Sequence, residues 1–514
     1  MTAAAPAPVR PLCGRVREVP WPACIEAVFA ALAQRRGCVW LDSAAGPAEL
    51  ARWSVLAAEP AATLTHGGGV TRLLDPDGRT IMAEAGRPLE ALRKALAMFP
   101  AEDPPLPFGP GFYGYLAYDL APTIEPTVGL SPRQDIPLPD LWFGVYEAVL
   151  VLDHAARRAY VVGEERAGEA IGQALASAGH APTANALLFE SRLNEAAVTP
   201  FIDNAVDRPD SRLPVPGSRC CRLSFNLSRD DFLRAVARAR DYIAAGDIFQ
   251  VNLSRRMTVT RPPAETAAGG FDRALPELYL RLRRANPAPY AAYLGLGAGR
   301  AVISSSPELF LECDGRRIVT RPIKGTRPRA PSDEAASARM RQELMASEKD
   351  RAELVMIVDL ERNDLGRVAE IGSVRVKEPR ALEAYAAVYH TVATVEARLR
   401  PGADLVDLLA ATFPGGSITG APKVRAMQII AELEPTCRSV YTGAVGYLGP
   451  APAGGGAGRC RLNIAIRTIL AAGPHLHVQV GGGIVADSDP AAEFDETEAK
   501  ARAVLRALEE TATA

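Results

Sequence analysis

Three apolar runs near the C-terminal end of the chain predict its fold. They are Val440-Tyr-Thr-Gly-Ala-Val-Gly-Tyr-Leu448, Arg461-Leu-Asn-Ile-Ala-Ile-Arg-Thr-Ile469 and Leu476-His-Val-Gln-Val480. Each run has the length and composition of a single strand, and glycine-rich or Gly-Pro segments separate the runs. Strands that follow one another through such turns pair antiparallel. We therefore expect an α+β fold in which mostly antiparallel sheets carry helices on their outer faces.

Composition limits the class of protein. The chain has 514 residues, is 48% hydrophobic and carries a formal charge of -2, so it can bury a large core but offers no basic field for nucleic acid. No apolar run reaches the roughly 18 residues of a membrane span. Eight cysteines occur without a Cys-x-x-Cys pair. This usage argues against a zinc site or a disulfide scaffold and predicts a cytoplasmic protein.

The chain divides into four segments by composition. Residues 1–19 begin with a run rich in alanine and proline, and we expect a disordered arm there, not a signal peptide. Residues 20–165 read as an N-terminal region of many short strands. Residues 166–223 contain an alanine-rich helix and then a polar, proline-containing linker. Residues 224–510 carry the most regular patterns and most of the candidate functional residues.

One lysine stands out in the stretch Arg321-Pro-Ile-Lys-Gly-Thr-Arg-Pro-Arg329. Its prolines and glycine predict a stiff loop after a short strand. Only six of the 58 basic residues are lysine, so Lys324 stands where arginine would be the chain's usual choice. An amine can lose its proton and act as a nucleophile, which a guanidinium cannot do. The alternative is an ordinary surface or anion-binding lysine.

Two predicted helices carry acidic residues at helical spacing. The first spans about 333–360 and the second begins at Asp489-Pro490, a cap followed by a first-turn proline. The acids are Asp350 and Glu353 on the first helix and Glu493 and Glu496 on the second, which also carries Lys500. Four carboxylates could hold a hard cation such as Mg²⁺, which keeps several waters and needs few direct protein ligands. Solvated surface acids are the alternative.

Three further features suggest ligand contacts. Arg467 lies in an otherwise apolar strand and needs a carboxylate partner, from the protein or from a ligand. Gly481-Gly-Gly483 ends a strand and is expected to form a turn with backbone N–H groups open to an anion. Glu308 lies between a strand and a loop, as a general acid/base candidate or a turn residue.

These pieces together resemble the chorismate-utilising enzymes. The matching motifs are Pro322-Ile-Lys-Gly-Thr326, Asp359-Leu-Glu-Arg-Asn-Asp-Leu-Gly366, Gly416-Ser-Ile-Thr-Gly-Ala-Pro-Lys423, Ile464-Ala-Ile-Arg-Thr468, Gly481-Gly-Gly-Ile-Val485 and Asp495-Glu-Thr-Glu-Ala-Lys500. The match is dense over residues 224–508, and residues 35–165 resemble the N-terminal region of the family. The resemblance implies two packed, mostly antiparallel β-sheets flanked by helices, an α/β/β/α sandwich.

Within the family, the lysine of Pro-Ile-Lys-Gly-Thr is similar to that of the aminodeoxychorismate synthases, large subunits that aminate chorismate at C4. Anthranilate synthases typically have alanine there. Gln250 falls where isochorismate and salicylate synthases carry a lysine that activates water, which argues against those two activities. The nearest alternative is anthranilate synthesis. A non-catalytic paralogue that only binds chorismate or an amidotransferase is the alternative of another class.

The resemblance also implies roles for individual residues. Lys324 would be the nucleophile and Glu308 the general acid, with His390 and Thr419 at family active-site positions; a core histidine is the alternative for His390. Mg²⁺ would bind Glu353 and Glu496 directly, with Asp350 and Glu493 acting through water. The residues expected to bind the substrate are Arg467, Tyr447, Gly481, Gly482, Gly483, Lys500, Gly325 and Thr326.

A partner is also implied. The sequence shows neither a Gly-x-Cys-x-Gly nucleophile motif nor a paired His-x-Glu, so we expect no glutaminase within it. Ammonia would come from a separate glutamine amidotransferase subunit or from free ammonium. Chorismate would be the substrate, and no nucleic acid or membrane partner is expected.

Overall fold

A computed structural model describes residues 11–43, 45–102, 105–179, 222–261, 270–330, 332–452 and 456–509. The predicted linker after its helix, residues 180–221, lies outside the described residues, as do residues 1–10 of the predicted arm. Residues 16–19, also assigned to the arm, form a strand that pairs with residues 159–162. The expected disorder is therefore wrong for residues 16–19.

Twenty-four strands occur in the described chain. They are β1 Val16–Val19, β2 Val39–Asp42, β3 Trp53–Ala57, β4 Ala62–Gly67, β5 Val70–Leu74, β6 Thr80–Ala85, β7 Gly111–Leu116, β8 Leu141–Tyr146, β9 Ala148–Asp153, β10 Arg158–Gly163, β11 Arg222–Phe225, β12 Gln250–Thr260, β13 Tyr290–Gly297, β14 Arg300–Ser306, β15 Leu309–Asp314, β16 Arg317–Arg321, β17 Ile323–Pro328, β18 Arg375–Ala384, β19 Val388–Arg398, β20 Gly420–Ala421, β21 Ala444–Gly449, β22 Arg459–Ile464, β23 Thr468–Ala472 and β24 His475–Ile484.

Eleven α-helices accompany these strands in the described ranges. They are α1 Ile25–Leu32, α2 Pro88–Met98, α3 Ala121–Ile124, α4 Glu169–Ala178, α5 Arg229–Ala244, α6 Gly270–Ala285, α7 Glu334–Ala346, α8 Glu348–Gly366, α9 Leu405–Thr412, α10 Lys423–Leu433 and α11 Pro490–Glu509. No helix in these ranges combines the length and the apolar character of a bilayer-spanning segment.

The strands form two 12-stranded sheets in which the described pairs are antiparallel. The first sheet runs in the order β1-β10-β9-β3-β2-β13-β14-β23-β24-β12-β11, with β20 added beside β12. The second runs in the order β17-β19-β16-β15-β22-β21-β7-β8-β4-β5-β6, with β18 added beside β19. Both sheets combine strands from before and after the predicted linker, so the two regions form one structure.

Three hydrophobic clusters hold the layers together. Between the sheets, Val302 and Leu470 of the first share a cluster with Tyr115 and Val445 of the second. A further cluster joins the outer face of the first sheet to α1, α4, α6 and α11. Another joins the second sheet to α2, α8 and α9. Apolar burial on both faces of each sheet explains the α/β/β/α sandwich, which confirms the expected fold class.

Two predicted elements are divided in the structure. The helix expected over 333–360 becomes α7 and α8, because Ser347 has an extended backbone and its hydroxyl caps α8 by accepting the N–H of Asp350 at 3.2 Å. The strand expected over 461–469 becomes β22 and β23, which belong to different sheets. By contrast α11 begins at Pro490, as predicted, with Asp489 accepting the N–H of Ala492.

The pairing of β7 with β21 connects the N-terminal and C-terminal regions, and its close backbone contact can be tested by mutation. Gly114 in β7 lies opposite Gly446 in β21, and a Cβ on Gly114 would lie 1.9 Å from the carbonyl oxygen of Trp142. We expect Gly114→Ala to lower the free energy of unfolding by about 2 kcal/mol or more, because the backbone must shift to admit the methyl group. Denaturant unfolding measures this change.

The matched control is Gly129→Ala, because a Cβ on exposed Gly129 would meet no atom within 4 Å. This variant should remain within about 0.5 kcal/mol of wild type. Equal unfolding free energies for the two variants would contradict the close approach described at Gly114.

Candidate active site

Two neighbouring crossings between the sheets place polar residues side by side. The chain passes from β14 in the first sheet to β15 in the second through Glu308, and from β22 back to β23 through Arg467. Ser305 N–H donates to the carbonyl oxygen of Arg467, and Ile464 N–H donates to that of Glu308, both at 3.1 Å. The two crossings are therefore hydrogen-bonded to each other.

Lys324 lies on the edge strand β17, so the predicted stiff loop is wrong. β17 pairs with β19, and the register shifts between Lys324 and Thr326 around Gly325. Proline is tolerated at the edge of a sheet, where its missing N–H breaks no ladder, which is why Pro322 and Pro328 misled the prediction. Gly325 has φ +83°, and a Cβ there would lie within 3.0 Å of the side chains of α7 and α8.

The Lys324 amine lies among several of the predicted site residues. Its Nζ donates to the carbonyl oxygen of Ser417 at 3.3 Å. Burial lowers the pKa of the Lys324 amine, the charges of Glu353 and Glu308 oppose this shift, and Lys500 adds to it. This environment increases the neutral, nucleophilic fraction of the amine relative to an exposed lysine.

Glu308 is 5% exposed and lies beside Lys324. Its Oε1 accepts the N–H of Ile323 at 3.4 Å. Burial raises the pKa of the Glu308 carboxyl, whereas Ser417, Lys324 and Arg467 oppose the rise. A carboxyl with a raised pKa next to an amine with a lowered pKa is the pairing that general acid/base chemistry requires.

The acids of α8 and α11 approach each other beside this pair. A Cβ on Gly482 would lie 3.1 Å from Oε2 of Glu493 and 3.9 Å from Oε1 of Glu496. Burial raises the pKa values of Glu353 and Glu493; Glu493 adds to the rise at Glu353, and Glu496 adds to the rise at Glu493. Burial would raise the pKa of Glu496 as well, but Lys500, which pairs with it at 2.7 Å, brings it below its usual value.

The acids of α8 and α11 include the four residues of the predicted magnesium site, Asp350, Glu353, Glu493 and Glu496. In the described ranges, no three His, Cys, Asp or Glu side chains converge into a ready-made metal cage. The carboxylates of Glu353 and Glu496, which Glu493 links through the repulsions just described, still fit a magnesium ion that keeps waters, and a cation would relieve these repulsions. Asp350 is engaged elsewhere: its carboxylate pairs with Arg327 at 3.1 Å and packs against Gly325.

Arg467 combines an unusual backbone conformation with a guanidinium that has no ion-pair partner among the described residues. It has φ +51°, which is unusual for a residue other than glycine and common at functional sites. Burial lowers the pKa of its guanidinium, with Tyr385 and Glu308 opposing the shift. No carboxylate of the described residues forms an ion pair with it. The described residues therefore do not supply the carboxylate partner that the sequence predicts for Arg467. A carboxylate ligand would fit this position.

His390 is 2% exposed and adjoins Arg467 and Thr326. Its Nδ1 hydrogen-bonds the hydroxyl of Thr326 at 2.9 Å, and its ring packs edge-on against Tyr385. Its Nε2 is buried without a partner among the described residues. Burial and the charge of Arg467 lower the pKa of His390 to about 3, so the imidazole is neutral at physiological pH.

Two predicted site residues are engaged elsewhere. Tyr447 is 3% exposed, and its ring packs on Tyr113 between the sheets and close to Gly449. It lies toward the opposite end of β21 from Arg467. The hydroxyl of Thr419 donates within its own turn, to the carbonyl oxygens of Gly415 at 3.0 Å and Gly416 at 3.2 Å. Substrate contact by Tyr447 and catalysis by Thr419 stay predictions without support from these contacts.

The glycine turn predicted at 481–483 is wrong. These residues lie inside β24 and pair with Ser254, Leu253 and Asn252 of β12. Glycine is needed there because neighbouring groups lie close, and Lys500 Nζ donates to the carbonyl oxygen of Gly481 at 2.8 Å. The segment still adjoins the acids of α11, but as a flat strand surface instead of an open turn.

Two further contributors to the site have no distinctive signal in the sequence. The carbonyl oxygen of Ser417 accepts from both Lys324 Nζ and Asn252 Nδ2, the latter at 3.1 Å. A backbone acceptor carries no signal in the residue type. Tyr385, directly after β18, packs on His390 and adjoins Arg467, but a lone tyrosine next to a strand reads as a core residue.

A separate cavity of about 160 Å³ is lined by Asp119, Asp140, Cys437 and Ser439, together with other residues that do not include Lys324 or its neighbours. The carboxylate of Asp119 accepts the backbone N–H groups of Arg438 and Ser439. These bonds order a turn. The candidate active site is therefore the cluster around Lys324.

Known proteins are similar to this chain in both sequence and fold. Residues 36–506 match the chorismate binding enzyme family. Anthranilate synthase component 1 of Streptomyces coelicolor is 43% identical over 86% of this chain and 81% of that protein. Aminodeoxychorismate synthase component 1 of Klebsiella aerogenes is 38% identical over 96% of this chain and 98% of that protein.

Solved structures agree with these relatives. Anthranilate synthase component I from Streptococcus pneumoniae has a TM-score of 0.66 and 32% identity, covering 88% of this chain and 92% of that one. The menaquinone-specific isochorismate synthase of Escherichia coli, at 18% identity and a TM-score of 0.65, shares the fold. The match over residues 36–506, with relatives above 30% identity along most of their length, shows that this chain belongs to the chorismate binding enzymes.

Proposed function

We propose that this chain is the large subunit of a cytoplasmic aminodeoxychorismate synthase, which replaces the C4 hydroxyl of chorismate by an amine. The observation that carries the proposal is the position of Lys324. Its amine lies beside Glu308 and opposite Glu353, and burial lowers its pKa. An anthranilate-type reaction, in which ammonia adds directly at C2, has no need of a nucleophilic amine at this point.

In the first half of the reaction, the amine of Lys324 forms a bond to C2 of chorismate. The two conjugated ring double bonds both shift, and the C4–O bond breaks. Glu308 protonates the departing hydroxyl, which leaves as water, and then recovers a proton from the alkylated lysine nitrogen. The raised pKa of Glu308 suits a group that must begin this half protonated.

In the second half, ammonia forms a bond to C4, both ring double bonds shift back, and the bond between C2 and the lysine nitrogen breaks. Glu308 protonates the departing lysine nitrogen and recovers a proton from the new ammonium group. Chorismate and ammonia thus give 4-amino-4-deoxychorismate and water. Two successive allylic displacements keep the new amine at C4, where the hydroxyl was.

Substrate binding uses the charges around this pair. Arg467 would bind the enolpyruvyl carboxylate, because its guanidinium lacks an ion-pair partner among the described residues. The neutral His390, with its unpartnered Nε2, would donate or accept one hydrogen bond there. Glu353 and Glu496 would hold magnesium, which when bound supplies positive charge against the ring carboxylate.

The source of ammonia would be a second chain. The relatives named above are each a component 1, which supports a two-component enzyme. A glutamine amidotransferase subunit would release the ammonia, and the product would serve the synthesis of para-aminobenzoate and folate.

Anthranilate synthesis is the second candidate. The observation that favours it is the 43% identity to the anthranilate synthase component 1 of Streptomyces coelicolor. Incubation of the purified chain with chorismate, magnesium and ammonium separates the candidates by product. Aminodeoxychorismate supports the proposal, anthranilate supports the second candidate, and no turnover supports a binding-only paralogue.

The first prediction concerns Lys324. Lys324→Ala and Lys324→Arg should each lose aminodeoxychorismate formation by roughly a thousandfold or more, because neither side chain supplies a nucleophilic amine. The alanine variant leaves space at C2 and should gain slow formation of the ortho-amino product. Product analysis by chromatography and mass spectrometry measures both.

Lys94→Arg is the matched control, because Lys94 lies on the surface in an ion pair with Glu84; it should retain full activity. Wild type given chorismate without ammonia should carry an added chorismate-derived mass on Lys324. Normal activity in Lys324→Arg would rule out the covalent mechanism.

The second prediction concerns the metal. Glu496→Gln should raise the magnesium concentration needed for half-maximal activity by roughly tenfold or more, because one charged ligand is lost. Asp495→Asn, on the exposed side of the same helix, is the control and should leave that concentration unchanged. An unaltered magnesium dependence in Glu496→Gln would refute the ligand assignment.

The third prediction concerns the nitrogen donor. The purified chain should turn over with ammonium and show no turnover with glutamine until an amidotransferase is added. Assays with each donor at equal concentration test this directly. Glutamine-dependent turnover by the single chain would contradict the proposed division of labour.

A further inference from the structure

The cavity at Asp119 and Ser439 is large enough for a small molecule. Its volume is about 160 Å³, and a cavity of about 150 Å³ can hold a molecule the size of benzene. Its lining includes the exposed residues Gly68, Gln134 and Asp135, whereas Asp119 and Ser439 are buried. The cavity therefore extends from the surface to a buried floor.

Two carboxylates line this cavity without a cation beside them. Neither Asp119 nor Asp140 forms an ion pair within the described ranges. Burial raises the pKa of Asp119 to about 7 and that of Asp140 to about 6, and the charge of Asp140 adds to the rise at Asp119. The third acid of the lining, Asp135, is already paired with Arg256 at 2.6 Å. A cation in the cavity would stabilise both unpaired carboxylates.

The hydroxyl of Ser439 is an independent sign of a ligand. Ser439 lines the cavity and is 6% exposed, and its hydroxyl has no hydrogen-bond partner among the described residues. The backbone there has φ +53°, a conformation that favours glycine over residues with a side chain. Glycine would therefore suit this turn better. Serine adds a hydroxyl that can form a hydrogen bond with a ligand in the cavity.

The lining also indicates the chemical class of the ligand. Within the part of the chain that the structure describes, no three His, Cys, Asp or Glu side chains could hold a metal ion together. Ile136 and Leu138 add apolar surface to the same cavity. A primary alkylammonium ion fits both kinds of surface, because its N–H groups can donate to oxygen acceptors and its hydrocarbon part can leave water.

We propose that this cavity binds a small primary alkylammonium ion. Its three N–H groups donate to Asp119, Asp140 and the hydroxyl of Ser439. Its hydrocarbon part packs against Ile136 and Leu138. This site goes beyond the proposed amination and does not depend on it, because the lining includes neither Lys324 nor its neighbours.

The test measures the thermal unfolding midpoint of the full chain with n-butylammonium chloride. Sodium chloride at equal ionic strength and 1-butanol, a neutral molecule of the same size, are the reference compounds. The ammonium salt should raise the midpoint saturably above both references, because a ligand that binds only the folded chain stabilises it. Isothermal titration calorimetry then gives the Kd of n-butylammonium.

Asp140→Asn should raise this Kd at least tenfold, because one of the two carboxylates that attract the cation becomes neutral. The midpoint of the variant without ligand should stay the same or rise, since the substitution removes the repulsion between Asp119 and Asp140. Asp77→Asn is the matched control, because Asp77 is an exposed acid paired with Arg79 outside the cavity. It should leave the Kd unchanged.

Ser439→Gly separates binding from stability. The midpoint of this variant without ligand should stay the same or rise, because glycine adopts φ +53° without strain. The Kd of n-butylammonium should rise at least threefold, because the hydroxyl is lost. A serine with a purely structural role would give the opposite pattern, a lower midpoint with an unchanged Kd, and this pattern would overturn the assignment of Ser439 to the site.

The remaining outcomes decide the class of ligand. Equal saturable effects of 1-butanol and n-butylammonium would overturn the proposal, because the cavity would then show no preference for a cation. Binding of magnesium chloride that Asp140→Asn abolishes, with no effect of n-butylammonium, would replace it by a metal site. No saturable effect of n-butylammonium on wild type, or a Kd unaltered in both Asp140→Asn and Ser439→Gly, would also overturn it.

Discussion

The active-site geometry depends on the two adjacent places where the chain leaves one sheet and enters the other. Glu308 and Arg467 lie at these crossings, and backbone hydrogen bonds join the crossings directly. The hydroxyl of Ser306 adds a further bond, to the carbonyl oxygen of Ile464 at 2.6 Å. A residue at such a crossing belongs to neither strand, so its side chain does not follow the alternation of a strand and can face a ligand. The positive φ of Arg467 is the local cost of this arrangement.

Burial then adjusts the chemistry of what the crossings bring together. It raises the pKa of Glu308 and lowers that of Lys324, two shifts in opposite directions from one cause. Each group partly offsets the shift of the other through its charge. The pKa values of Glu308 and Lys324 therefore both lie nearer neutral pH than those of exposed side chains, which favours proton exchange between them. Burial also lowers the pKa of His390, to about 3, and so keeps its imidazole neutral.

The helices contribute the acids from opposite directions. α8 approaches from the side of β17, where Ser347 breaks the helix expected over 333–360 and starts a new one. α11 lies along β24 and brings Glu493 and Glu496 above Gly482. Arg327 neutralises Asp350 on one side, and Lys500 pairs with Glu496 on the other. The charges of Lys324 and Lys349 partly offset the rise that burial causes in the pKa of Glu353.

The sequence by itself determined the fold class, the family resemblance and most of the residues that meet around Lys324. It did so because glycine turns, alternating apolar residues and the caps of α11 are local signals. It could not show that the run 461–469 divides between two sheets, since each half alternates like an ordinary strand. The sequence also failed to predict the edge strand β17 and the strand at 481–483. Proline and glycine usually indicate loops, and only pairing with a neighbouring strand shows that these segments are strands. Only the tertiary structure decided that Tyr447 packs between the sheets, that Asp350 pairs with Arg327, and that the amide of Gln250 has no partner among the described residues, because each depends on which distant residue lies opposite.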